Sequence, residues 1–206
     1  MKRIILFISL VTILFSSTFA QQKERTNTNK LSIMAGLSQP FLLNGTNIAF
    51  TYTTRNWYFE YSHGAFLNYH KFGKAAMKAE DRVNFDTQVA PFSTGGGVGY
   101  RFNSNGQIFW EFKVHQYDLT ESTTQEGISY KTFEMGPALS YRLFLDKQQK
   151  AFFEPVARFW FNVASFGNDQ LDGRDIQVAR ADGSTFTHKT YESGFFLNMS
   201  LGMVLK

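Results

Sequence analysis

From Thr190 to Lys206 the chain reads TYESGFFLNMSLGMVLK, and taken two residues at a time it divides into two faces. One carries Tyr191, Phe195, Leu197, Met199, Leu201, Met203 and Leu205; the other carries Glu192, Gly194, Asn198, Ser200 and Gly202. A period of two belongs to a strand, since helical spacing would scatter these apolar residues around a whole circumference. The run is about three times as long as a usual strand in a soluble domain. A long strand, apolar on one side and small or polar on the other, is what a membrane-spanning β-barrel needs at roughly ten residues per crossing.

The same alternation predicts eight strands, at about 30–38, 46–54, 57–65, 91–102, 107–117, 129–145, 151–166 and 190–206. Eight is the smallest common number for a transmembrane barrel. The second, fourth and sixth connections, at Arg55-Asn56, Asn103-Ser104-Asn105-Gly106 and Asp146 to Lys150, are short and rich in turn formers. The third (about 66–90) and seventh (about 167–189) are long, the fifth (118–128) is of middling length and the first (39–45) modest. Short turns alternating with longer loops is the asymmetry of an outer-membrane barrel, and it puts both termini on the periplasmic side. The expected fold is therefore all-β, an eight-stranded antiparallel up-and-down transmembrane β-barrel over 30–206.

Volume decides which face points out. Trp57, Phe59 and Tyr61 share a face, as do Val98, Tyr100 and Phe102, then Ile108, Trp110, Phe112 and Val114. Phe133, Met135, Leu139, Tyr141 and Leu143 follow, and Phe153, Phe159, Phe161 and Val163 complete the set. An eight-stranded barrel is just wide enough to be filled by side chains and has no room for all of these, so they face outward. The opposite face offers Gly95, Gly97 and Gly99 with Gly64, Gly136, Gly194 and Gly202, beside nine charges: Glu60, Arg101, Glu111, Lys113, Glu134, Arg142, Glu154, Arg158 and Glu192. Buried charges persist when paired, so these residues predict a salt-bridge network that plugs the lumen.

Aromatics near the short turns (Trp57, Tyr58, Tyr100, Phe102, Trp110 and Tyr141) are expected to form a periplasmic girdle, and Tyr69, Tyr117, Tyr130, Phe166 and Tyr191 an outer one. Pro137 and Pro155 conflict with a closed ladder, because proline has no N–H to donate; a bulge or altered register is expected near each.

Composition adds an address. Lys2 and Arg3, the apolar stretch from Ile4 to Phe15 and the small residues ending at Ala20 read as a secretory signal peptide over 1–20, followed by a polar leader at 21–29. Without Lys2 and Arg3 the formal net charge of +4 becomes +2, so basicity gives no reason to expect nucleic acid. The 206 residues include no cysteine, which excludes disulfides, thiolate metal sites and a lipid-bearing cysteine anchor. Anchoring would fall to the fold itself.

Taken together, the signal peptide, the eight amphipathic strands, the alternating connections, the segment GGGVGYRF from Gly95 to Phe102 and the closing FFLNMSLGMVLK resemble the small outer-membrane β-barrel proteins of the OmpA/OmpX kind. They are most similar to the outer membrane beta-barrel or porin-family proteins of Bacteroidota-type bacteria, which include PorT-like proteins. That resemblance spans 30–206 and implies contact with outer-membrane lipids and lipopolysaccharide, assembly by the outer-membrane insertion machinery, and no agreed activity. The chain departs from the pattern in ending on Lys206 where such barrels often end on an aromatic. No peptidoglycan-binding domain follows the barrel segment, so an OmpA-like wall tether is not implied.

Chemistry is sparse among the side chains. His63 has the outward parity of Trp57 and Phe59 and would suit an enzyme that trims lipid A, but Ser62 points inward and no His-x-Ser-Asn run completes a site. His115 and Glu134 are placed to face each other near the outer end of the lumen, as a pair or as one more structural contact, while His70 and His188 lie in expected loops. Asp169, Asp172 and Asp175 lack the spacing of a calcium loop and have Arg174 and Arg180 among them, so a solvated loop is expected and no metal or cofactor. Ala75 to Glu80 is a candidate short helix in the third connection. The function expected is structural or interactive, through the loops and without catalysis. The competing readings are an outer-membrane lipid A or phospholipid acyl-modifying enzyme, a conducting pore, and a soluble periplasmic lipocalin-like carrier, the last requiring the bulky face to turn inward.

Overall fold

A computed structural model describes residues 29–69 and 79–206. The signal peptide and most of the polar leader, His70, and most of the helix expected from Ala75 lie outside the described residues. Within them the chain is all-β. Its strands are β1 (Lys30–Gly36), β2 (Thr46–Thr53), β3 (Trp57–Asn68), β4 (Phe85–Arg101), β5 (Gly106–Glu121), β6 (Gly127–Tyr141), β7 (Leu143–Phe144), β8 (Ala151–Phe166), β9 (Leu171–Asp172), β10 (Asp175–Ala179), β11 (Thr185–Lys189) and β12 (Gly194–Val204). Two short helices, α1 (Ser38–Leu42) and α2 (Asp81–Asn84), sit in the first and third connections. No helix of the described residues is long and apolar enough to cross a membrane.

Eight antiparallel strands, in the order β1-β2-β3-β4-β5-β6-β8-β12, close into a ring when β12 pairs with both β8 and β1. β7 continues the β6 register along β8 after a break at Arg142, so the pair Ser140↔Val156 is followed by Leu143↔Phe153. The three turns and both described termini lie at one end of the ring, the turn end. The first, third, fifth and seventh connections lie at the other, the loop end.

Alternation sorts the residues. Leu31, Phe50, Trp57, Phe59, Tyr61, Trp110, Phe112, Phe159, Leu197 and Met203 are exposed on the outside of the ring. Ser32, Thr51, Glu60, Glu111, Ser140, Glu154 and Asn198 are buried inside it. The glycines of β4 allow the large inward side chains of β5: a Cβ on Gly99 would strike the backbone of Ile108 and the side chain of Phe109. The space that Gly99 leaves lets the Tyr58 and Phe109 rings meet at 4.6 Å between centroids.

Four expectations change. The altered register expected near Pro155 is absent, since Pro155 pairs with Met199 in unshifted register; near Pro137, which pairs with Trp110, the β8 ladder loses Gly136 and Pro137 and its register shifts between Phe133 and Glu134. Two more irregularities lie in β4, between Phe85 and Thr87 and between Val89 and Ser93, around Pro91. The seventh connection is no plain solvated loop, since β9, β10 and β11 build a three-stranded sheet. Ile176 and Val178 on that sheet are buried against Phe85, Leu119, Ile128 and Tyr130. The outer aromatic girdle is also largely missing: Tyr69, Tyr117 and Tyr130 are buried and Tyr191 packs against them, leaving Phe166 exposed. Tyr58, expected in the periplasmic girdle, is fully buried as well.

The tyrosines turn inward for identifiable reasons. Tyr58, Tyr117 and Tyr130 share the parity of Glu60, Glu111 and Glu134 on their own strands. Tyr69 shares the outward parity of Trp57, but Phe66 adopts a left-handed backbone with φ of 56°, and beyond it Leu67 and Tyr69 face the core. Left-handed backbone at a bulky residue is rare and reverses the alternation here.

Candidate functional site

The interior is stratified along the ring axis. At the turn end the Arg142 guanidinium donates from Nε to Glu154 at 2.8 Å and reaches the hydroxyls of Ser32 at 3.3 Å and Thr51 at 3.2 Å. Glu154 also accepts from Gln107 at 2.9 Å and Ser140 at 2.8 Å, and Arg142 lies 4.0 Å above the centre of the Phe152 ring. Strands β1, β2, β5, β6 and β8 thus all contribute partners to this buried ion pair.

One level up, Arg158 on β8 bridges two carboxylates. Its Nε donates to Glu111 at 2.8 Å, and its Nη2 lies 3.6 Å from Glu60. Trp160 Nε1 donates to Glu111 at 3.0 Å, and Tyr58 donates to Glu60 at 2.6 Å. Lys113 is buried beside this group with its ammonium on the Ser62 hydroxyl, 5.8 Å from the centre of the Trp160 ring. His115 Nε2 lies 3.9 Å from Glu134, which accepts from Thr132 at 3.3 Å and from the Ser193 backbone at 3.3 Å.

Seven of the nine charges expected in the lumen thus lie inside the ring, and two do not. Arg101 ends β4 and turns its guanidinium onto turn carbonyls, those of Thr54 at 2.5 Å and Ser104 at 2.7 Å. Glu192 sits before β12 begins and pairs at 2.7 Å with Arg174 of the loop sheet, both partly exposed. Each is at the end of a strand, where alternation no longer dictates direction.

Above the charged layer, Lys113, His115, Arg158 and Trp160 form the inner end of a cavity of about 410 Å³. Its walls come from Leu43, Leu67, Tyr69, Tyr191 and Phe196. The loop end is fastened by a buried set that sequence reasoning did not find. His188 of β11 lies 3.0 Å from Asp81 of α2 through Nδ1 and 3.1 Å from the Tyr130 hydroxyl through Nε2. Tyr130 accepts from the Tyr191 N–H at 3.1 Å, so its own hydrogen is available for Nε2, and Nδ1–H is left for Asp81. The set ties the third connection to the seventh across β6.

His63 stands exposed on the outer face between Ile48 and Thr94. Asp172 and Asp175 oppose each other across the β9–β10 turn, and no cluster that would hold a metal occurs among the described residues. Glu121, at the outer tip of β5, accepts four hydrogen bonds from the backbone and side chains of Thr123 and Thr124. Burial opposes its ionisation, but these bonds prevail and hold its carboxyl at about 2. No protein family, curated protein or solved structure matches the chain.

Proposed function

We propose that this protein is a small outer-membrane β-barrel whose charged interior is plugged in its turn half, and that it acts structurally or through its loops, without catalysis. One observation carries the reading: large apolar side chains stand exposed around the ring, while the same strands send paired charges inward. Water would penalise so broad an apolar band, whereas lipid accepts it, and a closed ladder satisfies the backbone groups that lipid cannot. The turn end and both termini would then face the periplasm, and the β9–β11 sheet would stand outside, near lipopolysaccharide.

A lipocalin-like carrier has the opposite polarity, apolar inside. A lipid A enzyme is disfavoured because His63 stands on the outer face between Ile48 and Thr94, which complete no site, and Thr132, opposite the inner His115, spends its hydroxyl on Glu134 at 3.3 Å. Gel mobility of urea-washed outer membranes tests the reading. A band that stays with the membrane and shifts on boiling is expected, whereas release to the soluble fraction without a shift would overturn it.

A further inference from the structure

The cavity in the loop half has an opening through the wall. β1 accompanies β12 only from Ser32↔Val204 to Gly36↔Ser200, while β12 continues along β8 up to Gly194. Above Ser200 the place of a strand is taken by α1, which contacts both β2 and β12. It is held there by the Leu37 N–H on the Met199 carbonyl at 2.7 Å and by the Met199 N–H on the Ser38 hydroxyl at 3.3 Å. Leu42 and Leu197 line the cavity although they are 49% and 61% exposed, so the space reaches the outer apolar face beside α1.

The far end has the opposite character. Lys113, His115 and Arg158 line it, whereas Glu60 and Glu111, which hold Arg158, sit behind it toward the turn end. Glu134 is engaged by Thr132 and the Ser193 backbone. Arg158 Nη1 and both ring nitrogens of His115 make no hydrogen bond among the described residues. A cavity of about 410 Å³ falls within the ~300–1,000 Å³ range of small-molecule sites. In lipid, a strand edge without a partner persists where it lines a cavity or is covered by protein.

Resting on the barrel reading above, we infer that this cavity binds a single-tailed amphiphile with an acidic head, of the fatty-acid class. The amphiphile enters sideways from the membrane between α1 and β12. Its carboxylate lies against Lys113 and Arg158, and its tail runs past Phe196 to the opening at Leu42 and Leu197.

The full exported chain, refolded in detergent micelles and checked for the heat shift, is irradiated with palmitate carrying a diazirine at the tail terminus; adducts are mapped by mass spectrometry. Adducts are expected at Leu42 and Leu197, with competition by unlabelled palmitate. Lys113→Met should lower them about tenfold, the effect of one charge-assisted hydrogen bond. Gly64→Phe should lower them comparably by filling the cavity without touching a charge, since a Cβ there meets nothing nearer than 3.4 Å. Adducts spread evenly over Trp110 and Phe159 in a heat-shifting protein would overturn the cavity and leave the barrel standing. Absence of the heat shift would overturn the barrel and the site with it. Equal labelling by the corresponding alcohol would overturn the acidic-head assignment, and equal competition by inorganic phosphate would reduce the site to a pocket for free anions.

Discussion

The two halves of the ring interior follow the same alternation, yet one is knit across by hydrogen bonds and the other holds a cavity. In the turn half every strand of the ring is present, and Arg142, Glu154, Gln107, Ser140 and Phe152 occupy the space between them. In the loop half β1 has ended and α1 stands in its place, Gly64 and Ser93 contribute little volume, and a cavity remains. The early end of β1 and the small inward residues Gly64 and Ser93 together leave the cavity, although both halves carry charges and aromatics.

The largest expected effect that would break this contrast lies in the turn half. Arg142→Ala leaves Glu154 buried without its cation and should cost about 3–5 kcal/mol, read from urea unfolding in micelles. The double variant Arg142→Met with Glu154→Leu should recover most of it; a loss no larger than that of a surface substitution would mean that the turn half is not held by this pair. Next comes a pair of glycines at different heights. Gly99→Ala forces a methyl into Ile108 and Phe109 and should cost about 1–3 kcal/mol, whereas Gly64→Ala, beside the cavity, should stay within about 0.5 kcal/mol. Equal losses at the two sites would erase the distinction.

The smallest effect is a pH response confined to the loop end. Glu121 has its carboxyl depressed in the folded state from an ordinary 4.5 to about 2. The stability it contributes is therefore complete above about 4.5 and is lost as pH falls toward 2. Hydrogen exchange at the Thr123 and Thr124 amides should speed up across that window, and Glu121→Gln should remove the pH dependence. Acceleration that persisted in the variant would assign the response to another group.

Much of this was legible in the chain. Alternation located the eight ring strands and their faces, because a period of two is all a closed antiparallel sheet asks of its sequence. It also held the direction of Tyr58, Tyr117 and Tyr130, which share parity with Glu60, Glu111 and Glu134; grouping them by nearness to strand ends obscured that. The β10 and β11 segments, DIQVA and TFTHK, alternate about the turn former Asp182-Gly183, a short signal masked by the length of the connection around it. Tyr69 was not legible, since its direction depends on the left-handed backbone at Phe66. Nor was the Asp81–His188–Tyr130 set, which joins residues far apart in sequence and leaves no local pattern.

The pairing of β1 with β12 joins opposite ends of the described chain, with the Leu31 N–H on the Lys206 carbonyl at 2.8 Å. Every other neighbour in the ring is reached through one connection, so this seam bears by far the longest loop closure and has no local contact to speed it. The ring should therefore zip from its hairpins and seal here last. Until that step both edges stay open to wrong partners, so the time the chain spends unsealed, more than its final stability, governs how safely it assembles.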